Sequence, residues 1–135
     1  MKLQLTKLNE VDREDKDIDE LVKFVKFVAK KLGIKGDMKI TLVGKNSGDQ
    51  GMSTGGFDVY NNQILAREYG RSLVDIMRSI AHELVHYKQK EAGKFKPGDN
   101  IPNIGGEIED EANALCGQLV KMYVDEEDSR WLYTY

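Results

Sequence analysis

His82-Glu83-Leu84-Val85-His86 is the stretch on which the reading of this chain turns. It lies in a run from Leu73 to Ala92 whose apolar residues recur at helical spacing. Leu73, Ile76, Met77, Ile80 and Leu84 form one stripe, with Tyr87 at its edge. Ser72, with Asp75 three residues on, has the layout of a capping box, and Gly93 is a stop signal. The spacing predicts a long helix over 73–92. Two histidines four apart on such a helix project from one face, one turn apart. Both imidazoles can then reach one cation at the ~2.0–2.1 Å that zinc requires. Glu83 lies roughly 60–100° round the helix from them, beside the metal rather than on it. That position suits a group that takes a proton from metal-activated water and hands it on. A surface helix whose histidines bind nothing is the plainer alternative, and the helical setting argues against it.

The third ligand must come from elsewhere. The chain has only two histidines, so a site of three histidines is excluded and a carboxylate is left. A second helical run extends from about Glu107 to Val124, with a stripe of Ile108, Ala112, Leu115, Cys116, Leu119, Val120 and Tyr123. It offers Glu107, Glu109, Asp110 and Glu111. Glu109 and Glu111 flank the stripe on opposite sides, about 200° apart, so both cannot face one metal. Glu109 has Asn113 one turn later on its own side, placed to hydrogen-bond a ligand histidine. Glu109 is therefore the expected ligand and Glu111 the runner-up. Cys116 lies ~10 Å further along the axis and reads as a buried core thiol.

The first motif, followed by Glu109-Asp110-Glu111-Ala112-Asn113-Ala114-Leu115, resembles the gluzincin metallopeptidases. It is most similar to the ImmA/IrrE-type peptidases, many from bacteria and phages, whose second motif reads Glu-x-x-Ala-Asn-x-Phe-Ala. It also resembles minimal gluzincins of about this length. The resemblance spans roughly residues 72–124, with Leu115-Cys116 where that family has Phe-Ala. It implies zinc held by His82, His86 and Glu109, with a position left open for water. It implies Glu83 as general base and then proton donor to the leaving amine. It further implies an extended peptide pinned along an edge strand beside the active-site helix. The hairpin 57–66 is the candidate strand, and the glycine-rich loop 44–56 is either a lid or a plain connector. An oxyanion-stabilising group is expected as well. Tyr123, Tyr133 and Tyr135 are the candidates, each with packing as its alternative, while Tyr87 faces the core.

Around these motifs the pattern predicts a strand over 2–8 and an acidic loop with Asp15 or Asp17 as cap for the next helix. That helix, 18–32, carries Ile18, Leu21, Val22, Val25, Val28, Ala29 and Leu32 on one face and Lys23, Lys26 and Lys30 on the other. Phe27 falls among the lysines, either packed under a neighbour or free for a partner or membrane contact. Met38–Val43 reads as a strand, and Phe57–Tyr60 and Gln63–Ala66 as a hairpin about Asn61-Asn62. Gly44–Gly56 is not a phosphate loop, because no Gly-Lys-Ser/Thr closes it. Residues 94–105 read as a loop. The end, Trp131-Leu132-Tyr133-Thr134-Tyr135, is expected to pack on the domain, with an inhibitory seat in the cleft as the alternative.

Composition sets the outer limits. A chain of 135 residues has room for one domain, 1–135. With 40% hydrophobic and 32% charged residues it reads as an ordinary soluble globule. A net charge of −3 argues against a nucleic-acid partner, and no apolar run approaches the ~20 residues of a membrane span. One cysteine excludes an internal disulfide framework, and with no signal-peptide pattern the default compartment is the cytoplasm. The expectation is an α+β zincin-like domain, with a small antiparallel or mixed sheet against the helix 73–92 and the glutamate helix on its other side. The expected activity is zinc-dependent hydrolysis of a peptide or protein substrate. Its rivals are a catalytically silent zinc-binding module and a regulatory peptidase dedicated to one partner, docked at the Phe27 face.

Overall fold

Parallel strands need a crossover between them, and this chain begins with one. The computed structural model describes residues 2–8, 11, 13–45, 55–58, 61–94 and 106–133. Strand β1 (Leu3–Leu8) leads through helix α1 (Asp15–Leu32) to β2 (Met38–Val43). Then follow β3 (Gly55–Asp58), β4 (Gln63–Arg67), α2 (Leu73–Glu91), α3 (Gly106–Glu126) and a 3-10 turn, Arg130–Tyr133. The sheet order is β1-β2-β4-β3. β1, β2 and β4 run parallel, and β3 lies antiparallel to β4 at the edge. The fold is thus α+β with a small mixed sheet.

Register explains which face carries the core. Leu5, Ile40 and Ile64 stand side by side, as do Leu42 and Ala66. Ile40, Leu42, Ile64 and Ala66 are fully buried. The alternate residues turn to the other face, as the two-residue period of a strand requires, and mix polar side chains with Val43 and Leu65. There Thr6 and Thr41 hydroxyls meet at 2.8 Å, and Gln63 Nε2 donates to Thr41 Oγ1 at 3.1 Å.

The β3–β4 register differs from that of a two-residue turn at Asn61-Asn62: Asp58 pairs with Gln63, and Val59 and Tyr60 lie outside the described residues. The Asp58 carboxylate accepts from the backbone and side chain of Asn61, and Asn62 takes φ +49°. Asn tolerates that left-handed conformation better than most residues. β3 begins at Gly55, so the end of the expected glycine loop is strand. Residues 46–54 lie outside the described residues, and the lid expectation with them.

α1 starts at Asp15 behind Glu14, which makes no side-chain cap bond. Neither Asp15 nor Asp17 is the cap. Asp17 is buried and pairs with Arg13 at 3.4 Å, and Arg13 also holds Glu68 at 3.0 Å. Leu21, Val25, Val28 and Ala29 are buried as their spacing requires. Phe24, outside the expected stripe, is fully buried too. The reason is a second contact: α3 packs on α1, and Phe24 and Phe27 each meet the Tyr123 ring edge-on at 5.2 Å. Phe27 is half-buried there, with Lys31 over its other side.

α2 is the central element. Ser72 Oγ accepts from the Asp75 N–H at 3.2 Å, but the Asp75 carboxylate turns to Arg78. Only half of the capping box forms. Leu73, Ile76, Met77, Ile80 and Leu84 are fully buried, and so, on another side of the helix, are His86 and Gln89. A helix buried on this much of its circumference must be covered by more than the sheet. α3 supplies the second cover. Cys116 is half-buried at the core's edge rather than within it, and its thiol donates to the Asn113 carbonyl at 3.4 Å. Leu132 anchors the 3-10 turn in the core, while Trp131 and Tyr133 stay exposed. No helix among the described residues is long and apolar enough to cross a membrane.

Candidate active site

The two histidines meet as their spacing requires. His82 Nε2 and His86 Nε2 are 3.2 Å apart, with the rings edge-to-face. α3 brings Glu109 against them from the other side. Glu109 Oε1 is 2.7 Å from His86 Nε2, and Oε2 is 3.6 Å from His82 Nε2. The three donor atoms lie within 4.8 Å of one another, the one such cluster of three among the described residues. His86 is buried, and His82 and Glu109 are half-buried, so the cluster is open on one side.

The electrostatics fit a cation. Burial lowers the His82 pKa, and the charge on His86 lowers it further, against the pull of Glu109. Two imidazole nitrogens and a carboxylate oxygen are a donor set that zinc accepts, and three protein ligands leave a fourth position free. Glu83, also buried, lies beside this cluster. Burial pushes its carboxyl up to about 8, and the charge of Glu109 adds to the rise. Its other neighbour is the edge strand. A Cβ at Gly55 would stand 2.8 Å from the Leu65 carbonyl oxygen and 3.8 Å from Glu83 Cγ. Glycine there avoids a clash with the Leu65 carbonyl of β4, and the same position lies in ordinary contact range of the buried acid.

The other sequence candidates lie elsewhere. Glu111 points away from the cluster and accepts from Gln89 Nε2 at 2.8 Å and Lys94 Nζ at 3.2 Å. The Gln89 bond chiefly, and Lys94 with it, hold its carboxyl below the usual range. Asn113 is exposed, and it is Gln89, not Asn113, that meets a histidine: Gln89 Oε1 lies 2.7 Å from His86 Nδ1. Gln89 was missed because it precedes the helix stop among charged residues. The signal available was its spacing, three residues after a candidate ligand on the same helix face. Tyr123, Tyr87 and Tyr133 lie away from the site. Tyr123 donates its hydroxyl to Glu20 on α1, and burial raises its pKa. Tyr87 is buried and donates to the Asp37 carbonyl at 2.7 Å. Tyr133 follows the far end of α3, which runs ~25 Å from Glu109 to Glu126. Tyr135 lies outside the described residues.

Two solved structures share this fold. A crystal structure of a Wss1 mutant from Saccharomyces cerevisiae superposes with a TM-score of 0.56 at 18% identity, covering 94% of this chain and 95% of that one. A second, of Wss1 from the same organism, gives 0.56 at 19% identity, covering 93% of each chain. At such identity the likeness shows the fold alone. No family model and no curated protein matches the sequence.

Proposed function

We propose that this chain is a zinc-dependent metallopeptidase of gluzincin type, as the ImmA/IrrE-like motifs imply. His82, His86 and Glu109 would be the metal ligands and Glu83 the general base. The observation that carries the reading is the convergence of two imidazole nitrogens and a carboxylate within 4.8 Å beside a buried glutamic acid. A structural site has no use for such an acid. A divalent cation held by these three side chains would polarise the scissile carbonyl and acidify a neighbouring water. Glu83 takes the proton of the attacking water and delivers a proton to the leaving amine nitrogen. Burial raises its proton affinity in the metal-free site, and a bound cation would lower it again, leaving a carboxylate able to accept that proton. β3, at the edge of the sheet and against Glu83, has no second strand partner among the described residues and would pair with an extended peptide substrate.

Elemental analysis and peptide cleavage together test this. Wild type should carry about one zinc per chain, His86→Ala and Glu109→Ala should lose it, and Glu111→Ala should keep it when zinc is in excess. A wild-type protein that takes up no zinc when supplied with it would end the reading.

A further inference from the structure

We infer that Gln89 is a positioning residue: its amide fixes a proton on His86 Nδ1 and ties that histidine to the two sides of Glu109. The inference rests on the metal site proposed above. The amide orientation follows from its neighbours. Gln89 Nε2 lies 3.0 Å from the Ile108 carbonyl oxygen and 2.8 Å from Glu111 Oε1. A backbone carbonyl can only accept, so the amide nitrogen must face it and the amide oxygen must face His86. An amide oxygen can only accept too. The proton in the 2.7 Å contact therefore belongs to His86 Nδ1. In the neutral ring the lone pair is then on Nε2, the atom nearest Glu109 and His82.

The same amide also sets the approach of α3. Ile108 and Glu111 flank Glu109 on the first turns of that helix. Holding one residue before Glu109 and another after it fixes both the height and the rotation of the carboxylate against α2. Gln89 and His86 are each only 1% exposed, so the bond between them is sheltered from water, while the Glu111 end of the tie is half-exposed. The neighbouring Lys94–Glu111 pair has both side chains well exposed and adds little. The buried amide is the tie.

Zinc affinity by chelator competition, together with imidazole nitrogen NMR, tests this. The chain has two histidines, so assignment is simple. Wild type should show a slowly exchanging Nδ1–H of His86. Gln89→Leu should lose that signal and bind zinc about 10–100-fold more weakly. Lys94→Ala should keep the signal and stay within about threefold of wild type. The pair Gln89→Glu with Glu111→Gln restores an acceptor for Nδ1 and a donor between the helices while giving up the bond to the Ile108 carbonyl, and should recover the signal and part of the affinity. A folded Gln89→Leu with wild-type affinity and an unchanged signal overturns the inference. If Gln89→Leu does not fold, absence of the signal in the double variant overturns it. If wild type binds no zinc, the metallopeptidase reading fails separately, and the Nδ1–H signal of the metal-free proteins still decides the role of Gln89: lost in Gln89→Leu, it supports that role, and absent from wild type, it overturns it.

Discussion

The two ends of α3 bury polar groups by opposite means. At the C-terminal end Tyr123 lies between Phe24 and Phe27, and its hydroxyl donates to Glu20. Every group there has a partner, and the contact holds α1 to α3. At the N-terminal end Glu109 faces two imidazole nitrogens that stand 3.2 Å apart, beside a glutamic acid pushed to high pKa by burial. That arrangement is costly in a protein built only to be stable, because buried charges and lone pairs crowd one another. A cation relieves the crowding. The comparison teaches that one helix can be a structural clamp at one end and carry part of the proposed metal site at the other. The two ends should therefore respond to different perturbations.

The largest expected effect breaks chemistry alone. Glu83→Gln should lower peptide hydrolysis by about 10²–10⁴-fold while zinc content by elemental analysis stays at the wild-type level. At the other end of α3, Phe24→Ala should cost about 3–5 kcal/mol in denaturant unfolding through its cavity and lost ring contact. The remaining folded protein should bind zinc as wild type does, because Phe24 packs at the opposite end of α3 from Glu109.

A third prediction concerns pH in the metal-free protein. The folded pKa of Glu83 lies above its unfolded value, so the neutral carboxyl is the form that folding favours. Its contribution is fully present below pH 4.5 and is lost as pH rises through about 8. Unfolding free energies of wild type minus Glu83→Gln should fall across that window by an amount on the order of a few kcal/mol. A flat difference curve would mean that the acid is not held in a dry site. The smallest effect is expected at the surface of the structural end. Lys31 pairs with Glu126 at 3.0 Å and covers Phe27, both in contact with solvent. Lys31→Ala should cost under about 1 kcal/mol and shrink further in high salt.

Much of the site was legible because its parts are local. Two histidines four apart, an acid between them and a capping serine before them are relations within one helix, and helix geometry sets them without help from the rest of the chain. Glu109 and Glu111 could be separated for the same reason: the angle between them depends only on their spacing. Phe24 was misjudged because a single helical wheel assumes one buried face, and α1 has two neighbours. Asn113 was misjudged because the wheel gives the side of a helix but not which partner atoms face it.

The sequence by itself determined the helices, the strands of the small sheet, and the pairing of His82 and His86 on one face. Only the tertiary structure decided that β3 lies at the edge beside Glu83, that α3 turns Glu109 rather than Glu111 toward the histidines, and that Gln89 spans the two helices. The physical reason is the same in each case. Backbone periodicity orders residues along one element, whereas the rotation and height of one element against another come from side-chain packing summed over the whole interface.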